Sequence, residues 1–212
     1  MKSSTLNFII FCLILPNIII AQNSQTTYVS VNNIKTAYKV VGIENRKDGT
    51  PIIIFESGIG MGGGNFETIF PYLPKEASYF IYDRNGIGQS DIDINLKTDS
   101  DVVEKLHLIL QQLGISPPYL LVGHSLGGPF IRLFESKYSA EVSGLVFIDP
   151  TDFMLSKEQN ELCRKKSKSK IGYHELWPKM LSEMGNDKNM PEGFRMEMQR
   201  ELHGSLKSFF NE

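Results

Sequence analysis

Hydrophobic positions along the chain follow three successive rhythms. Thr27–Val31 and Ile34–Val41 read as two strands joined by Asn32-Asn33, a pair that can turn the chain, and they predict an antiparallel hairpin at a sheet edge. Four short runs then follow, at 51–55, Tyr79–Tyr82, 119–122 and 144–148, each apolar throughout. Runs without alternation suit strands buried on both faces, as in a parallel sheet. Between the second and third runs, Val102, Val103, Leu106, Ile109, Leu110 and Leu113 fall on one face of a helix. Asp101 with Glu104 resembles a capping box there, and Gly114 is a suitable stop. Strands alternating with helices predict an α/β fold with a mostly parallel sheet. Beyond about Thr151 the strand signal ends, and 155–165, 172–184 and 191–210 read as helices. In the last of these, Phe194, Met198, Leu202, Leu206 and Phe209 form a single stripe that reads as core packing.

The N-terminus departs from this pattern. Lys2 precedes an apolar run at 8–20, broken by Pro16 and Asn17, and Ala21 precedes Gln22. That three-part layout predicts a secretory signal peptide over 1–21, and hence an exported protein, periplasmic or secreted. The run is shorter than the ~20 residues of a spanning helix, so no stable membrane span is expected after cleavage. The expected organisation is a signal peptide at 1–21, a core at 22–150 and a helical segment at 151–212. Cys12 would leave with the signal peptide, so Cys163 has no partner and no internal disulfide is expected. A net charge of -2 gives no basic excess for nucleic acid. Lys165, Lys166, Lys168 and Lys170 read as a solvated turn. No His/Cys cluster has metal spacing, and no cofactor is implied.

Candidate chemistry sits in the turns after the apolar runs. Gly123-His124-Ser125-Leu126-Gly127 fits G-x-S-x-G, follows the run at 119–122 and opens a helix through Phe130, Ile131 and Phe134. A nucleophile elbow needs this strand–turn–helix setting, because the serine must stand clear of the sheet on a strained turn. Flanking glycines remove Cβ atoms that would clash. A second signal is the Gly-rich stretch from Glu56 to Gly64. It lacks the Gly-Lys-Ser/Thr ending of a phosphate loop and the spacing of a dinucleotide fingerprint. It reads better as an oxyanion loop: acyl transfer needs two N–H donors aimed at the tetrahedral oxygen, expected at Leu126 and at Ile59. In a third stretch, Asp83-Arg84-Asn85-Gly86-Ile87-Gly88-Gln89-Ser90, Asp83 and Arg84 read as fixing the loop rather than reacting.

Phe-Glu-Ser-Gly at 55–58, the stretch at 83–90, Val-Gly-His-Ser-Leu-Gly-Gly at 122–128 and Phe-Ile-Asp-Pro at 147–150 occur in the order seen in the α/β-hydrolase superfamily. The chain resembles its serine esterase, lipase and peptidase branch over about 27–150, and the resemblance implies that 151–212 form a helical lid. Ser57 stands where the family has the His of its His-Gly oxyanion motif, which leaves a backbone donor intact. Dehalogenase and epoxide hydrolase members use aspartate at the elbow, so Ser125 argues against both. The resemblance implies that Ser125 is the nucleophile of an enzyme acting on small-molecule esters, or less favourably on amides or peptides.

The resemblance also implies an acid after a later strand and a histidine after the last one, whereas residue 212 falls in lid-like sequence. The expectation is a hydrolase truncated before those strands, with an exposed sheet edge. Asp149 and Asp152 follow a core strand and are candidate acids. None of His107, His124, His174 and His203 is placed as the general base. The rival expectation is a non-catalytic ligand-binding protein or inactive relic of the same fold. Oligomeric state is unreadable.

Overall fold

The computed structural model describes residues 26–151 and 156–203. The expected signal peptide, Asp152, Leu206 and Phe209 lie outside the described residues. The hairpin is present: β1 (Thr27–Val31) pairs antiparallel with β2 (Ile34–Val41). Asn32 and Asn33 both take positive φ, 52° and 64°, the left-handed geometry of a two-residue hairpin turn that asparagine tolerates. β3 (Ile52–Glu56), β4 (Tyr79–Tyr82), β5 (Tyr119–His124) and β6 (Val142–Ile148) complete a six-stranded sheet in the order β1-β2-β4-β3-β5-β6. β2 meets β4 antiparallel, and the β4-β3-β5-β6 half is parallel.

Two helices cover one face of that half, α1 (Asp99–Gln112) and α2 (Gly127–Lys137). Ile52, Ile54, Phe80, Tyr82, Tyr119 and Leu121 turn towards them and pack with Val103, Leu106, Leu110, Phe130 and Phe134. Alternate residues of the same strands turn the other way. Phe55, Tyr79, Ile81 and Val122 pack there against Phe66 and Phe70, carried by short 3-10 turns. Both faces of β3, β4 and β5 are thus covered, which is why their sequences show no alternation.

β6 departs from that expectation. Among the described residues it has a neighbour on one side only, and Val146, Phe147 and Ile148 are 42%, 42% and 37% exposed. An apolar run reports the composition of a strand, and burial depends on what lies beside it.

The N-terminus of α1 also differs from the reading. Its cap is Thr98, whose hydroxyl accepts from Asp101 N–H while the Asp101 carboxylate accepts from Thr98 N–H, so Asp101 closes the capping box rather than opening it. Glu104 instead accepts from Ser100 Oγ and Lys137. The stop is as read: Gly114 has φ 66°, and Ile115 and Gly114 donate back to Leu110 and Gln111. After β6 come α3 (Lys157–Ser167), α4 (Tyr173–Asn186) and α5 (Glu192–His203). Met198 is buried in the core, and Phe194 and Leu202 pack against it. No described helix is long and apolar enough to cross a membrane.

Candidate active site

Strand order reverses its direction of growth around β3: the chain runs from β3 out to β4, then crosses to β5 on the other side. In open α/β sheets such a switch opens a crevice at the carboxyl ends of the strands. The two turns singled out by sequence both lie there, one after β3 and one after β5.

Ser125 forms the tip of the turn between β5 and α2. Its φ is 51°, a left-handed conformation that costs a non-glycine residue roughly 1–3 kcal/mol and persists only where the surroundings enforce it. Ser125 N–H donates to Ile148 O at 3.1 Å, and its carbonyl accepts from Gly128 and Thr151 N–H at 2.9 Å each. The flanking glycines are required by close approach. A Cβ on Gly123 would lie 2.5 Å from Gly127 O, and one on Gly127 would fall on Glu56 O. The nucleophile turn is thereby wedged against the end of β3.

Leu126 starts the helix, and Ile59 stands in the loop opposite. Among the described residues neither N–H has a hydrogen-bond acceptor. Around them the loop backbone is held at almost every peptide. Arg84, 2% exposed, donates through Nη1 to Ser57 O at 2.6 Å and through Nη2 to Gly58 O at 2.5 Å. Its Nη1 also meets Glu56 and its Nε meets Glu197, each at 2.7 Å. The second oxygen of Glu197 accepts from Gly60 N–H. Tyr82 Oη donates to Glu56 at 2.6 Å, and Phe130 lies with its ring centroid 5.4 Å from the Arg84 guanidinium. Asp83 accepts from Gly63 and Gln89 N–H. The reading of Asp83 and Arg84 as loop-fixing residues matches this geometry.

Burial opposes the charge on Arg84, but Glu197 and Glu56 hold its pKa above its already high value. Burial also opposes ionisation of Glu197. Arg84, Arg200 and the Gly60 N–H outweigh it, and its carboxyl sits below the usual range. Burial wins at Glu56, whose carboxyl is raised despite Arg84. Farther along α5, Arg200 pairs with Glu201 at 2.9 Å and approaches Asp99 at 3.5 Å. Burial, and then the neighbouring Asp99, push Glu201 up to about 8.

Sequence reasoning missed Glu56, Glu197, Arg200 and Glu201. One signal was available: a cation read as a loop anchor inside an apolar sheet requires buried carboxylates. Glu197 and Glu201 flank the apolar stripe of α5 at the right spacing.

His107 and His124 are engaged away from Ser125. His107 is stacked on Tyr138 at 3.8 Å and paired with Glu141 at 3.0 Å. His124 takes a hydrogen bond from Asn65 at 3.2 Å through Nδ1, and His203 is exposed. Among the described residues no histidine bonds to Ser125 Oγ, whose partner is Thr151 Oγ1 at 3.2 Å. Asp149 is exposed at the end of β6 with φ 42°.

A family model described as the alpha/beta hydrolase fold matches residues 51–169. The uncharacterized protein YqjL of Bacillus subtilis is 27% identical over 80% of this chain and 75% of its own length. The (Lyso)-N-acylphosphatidylethanolamine lipase of Mus musculus is 28% identical over 60% of this chain, which spans only 38% of that enzyme. Among solved structures, an esterase from Exiguobacterium antarcticum superposes with a TM-score of 0.53 at 17% identity, covering 88% of this chain and 71% of its own. The strained serine turn, the glycine loop facing it and the matched segment that spans the elbow lead to one assignment: the chain belongs to the α/β-hydrolase fold family.

Proposed function

We propose that the site is that of a serine hydrolase acting on carboxylic esters. The observation that carries this reading is Ser125 at the strained tip between β5 and α2, beside a loop and a helix start whose Ile59 and Leu126 N–H groups have no acceptor among the described residues. Ser125 Oγ would attack the ester carbonyl carbon, and the carbonyl π electrons would move onto oxygen. The Ile59 and Leu126 N–H groups would hold that oxyanion. Collapse of the intermediate would expel the alcohol, which takes up a proton, and leave an acyl group on Ser125. Water would then release the acid. The hydroxyl proton needs an acceptor, and the described residues place only Thr151 Oγ1 at Ser125. That contact favours a second reading, a site that binds carbonyl ligands without turnover. Relatives described as lipases and an esterase support the hydrolase.

Treatment with a fluorophosphonate, followed by peptide mapping, tests the proposal. One adduct on the peptide containing Ser125, abolished in Ser125→Ala, is expected. An adduct that persists in that variant sinks the reading, and a chain that binds a boronic acid but never forms the adduct belongs to the second reading. Export is proposed as well, on the layout of residues 1–21. N-terminal sequencing of the protein from the extracytoplasmic fraction should start at Gln22.

A further inference from the structure

The face of α5 is joined to the loops after β3 and β4 by three kinds of contact. Gly193 packs backbone to backbone against Gly86. The Phe194 ring occupies the place of a side chain at Gly60, which has φ 67°. Glu197, 1% exposed, accepts from Gly60 N–H and from Arg84 Nε, while the same guanidinium donates to the carbonyls of Ser57 and Gly58. The peptide groups on either side of Ile59 are therefore fixed through one buried ion pair, and the Ile59 N–H, on the same peptide as the Gly58 carbonyl, has no acceptor among the described residues. A donor is effective in an oxyanion hole only when it is held in place before charge develops.

We propose that Glu197 and Arg84 are positioning residues that aim the Ile59 N–H, so that helix α5 sets the geometry of the oxyanion hole. This rests on the serine-hydrolase reading and adds residues outside the elbow and its loop. Neither side chain touches the reacting atoms; both act through the backbone of 57–60.

The test uses phenylboronic acid, which forms a tetrahedral, negatively charged adduct on a serine oxygen. Its affinity is measured by calorimetry at pH 7, alongside amide exchange at Ile59 and Gly60. In Glu197→Ala, exchange at Gly60 should accelerate and boronate affinity should fall at least tenfold. Glu197→Gln retains an oxygen for the Gly60 N–H and should recover most of that affinity. A Glu197→Ala protein that binds the boronate within twofold of the parent overturns the proposal. Should Glu197→Ala not fold, Glu197→Asp replaces it: too short to reach both partners, it should bind tenfold more weakly than Glu197→Gln, and equal affinities overturn the proposal. A purely structural glutamate would lower thermal stability without separating these variants in affinity. Failure of the underlying reading has its own signature, since Ser125→Ala would then bind the boronate as well as the parent does.

Discussion

The two flanks of Ser125 are built differently. On the β3 side, the turn meets a loop whose carbonyls and N–H groups are tied to Arg84, Asp83 and, from α5, Glu197. On the β6 side, Ser125 meets Ile148 and Thr151 through backbone bonds, and the strand behind them ends in three exposed apolar residues, Val146, Phe147 and Ile148. The first flank invests buried ionic groups, which are costly to desolvate, in fixing a few peptide groups. The second holds the serine in place through backbone bonds, with no buried ion pair among the described residues of that flank. A site that stabilises negative charge on oxygen needs rigidity where that charge forms, and that is the side on which the rigidity is found.

Breaking the rigid flank should have the largest effect. Arg84→Met removes the cation between two buried carboxylates and two carbonyls, and should destabilise the chain by about 3–5 kcal/mol, measured by urea unfolding. The junction between the flanks comes next. In Gly127→Ala the new methyl falls on Glu56 O, a backbone atom that cannot swing aside, and a loss of about 1–3 kcal/mol is expected by the same measurement. A shift in midpoint below about 0.3 kcal/mol would show that the elbow is not wedged against β3.

The sheet, its hairpin and the elbow were legible because each depends on local sequence: apolar runs, Asn32-Asn33 and glycines around a serine. The loop after β3 was legible as a glycine run, but the groups that hold it were not. Glu197 lies more than a hundred residues from Arg84, and in the sequence it reads as one polar residue of a mixed helix. Its role depends on where α5 docks, which no local pattern encodes. The capping box failed for a related reason. Asp101 can open or close such a box, and Thr98 decides between them. The exposure of β6 was expected as an edge but not from its own residues, which resemble those of β5.

The pH dependence of stability sharpens the comparison, because the titrating pair belongs to the rigid flank. Glu201 is pushed up to about 8 from an ordinary value of 4.5, and Asp99 beside it is raised as well. The folded state therefore holds a proton that the unfolded chain gives up in this window. Stability from this site is fully present below pH 4.5 and is lost as pH rises towards 8, with a slope approaching about 1.4 kcal/mol per unit. Glu201→Gln, neutral throughout, should flatten that slope in urea titrations between pH 5 and 8. An unchanged slope would place the proton elsewhere.

The smallest effect on stability is expected on the open flank. Phe147 is 42% exposed, near the end of a strand with one neighbour, so Phe147→Thr removes little buried area and keeps a residue suited to a strand. Its urea midpoint should move by no more than about 0.5 kcal/mol, the range for surface positions. Self-association should respond more strongly. An apolar edge with unpaired backbone groups is a template for another strand, and β6 carries no lysine, proline or charge along Val142–Ile148 to blunt it. Light scattering against concentration should show weaker association for Phe147→Thr than for the parent chain. If stability falls by 2 kcal/mol or more instead, Phe147 is packed in solution, and the contrast between a rigid and an open flank does not hold.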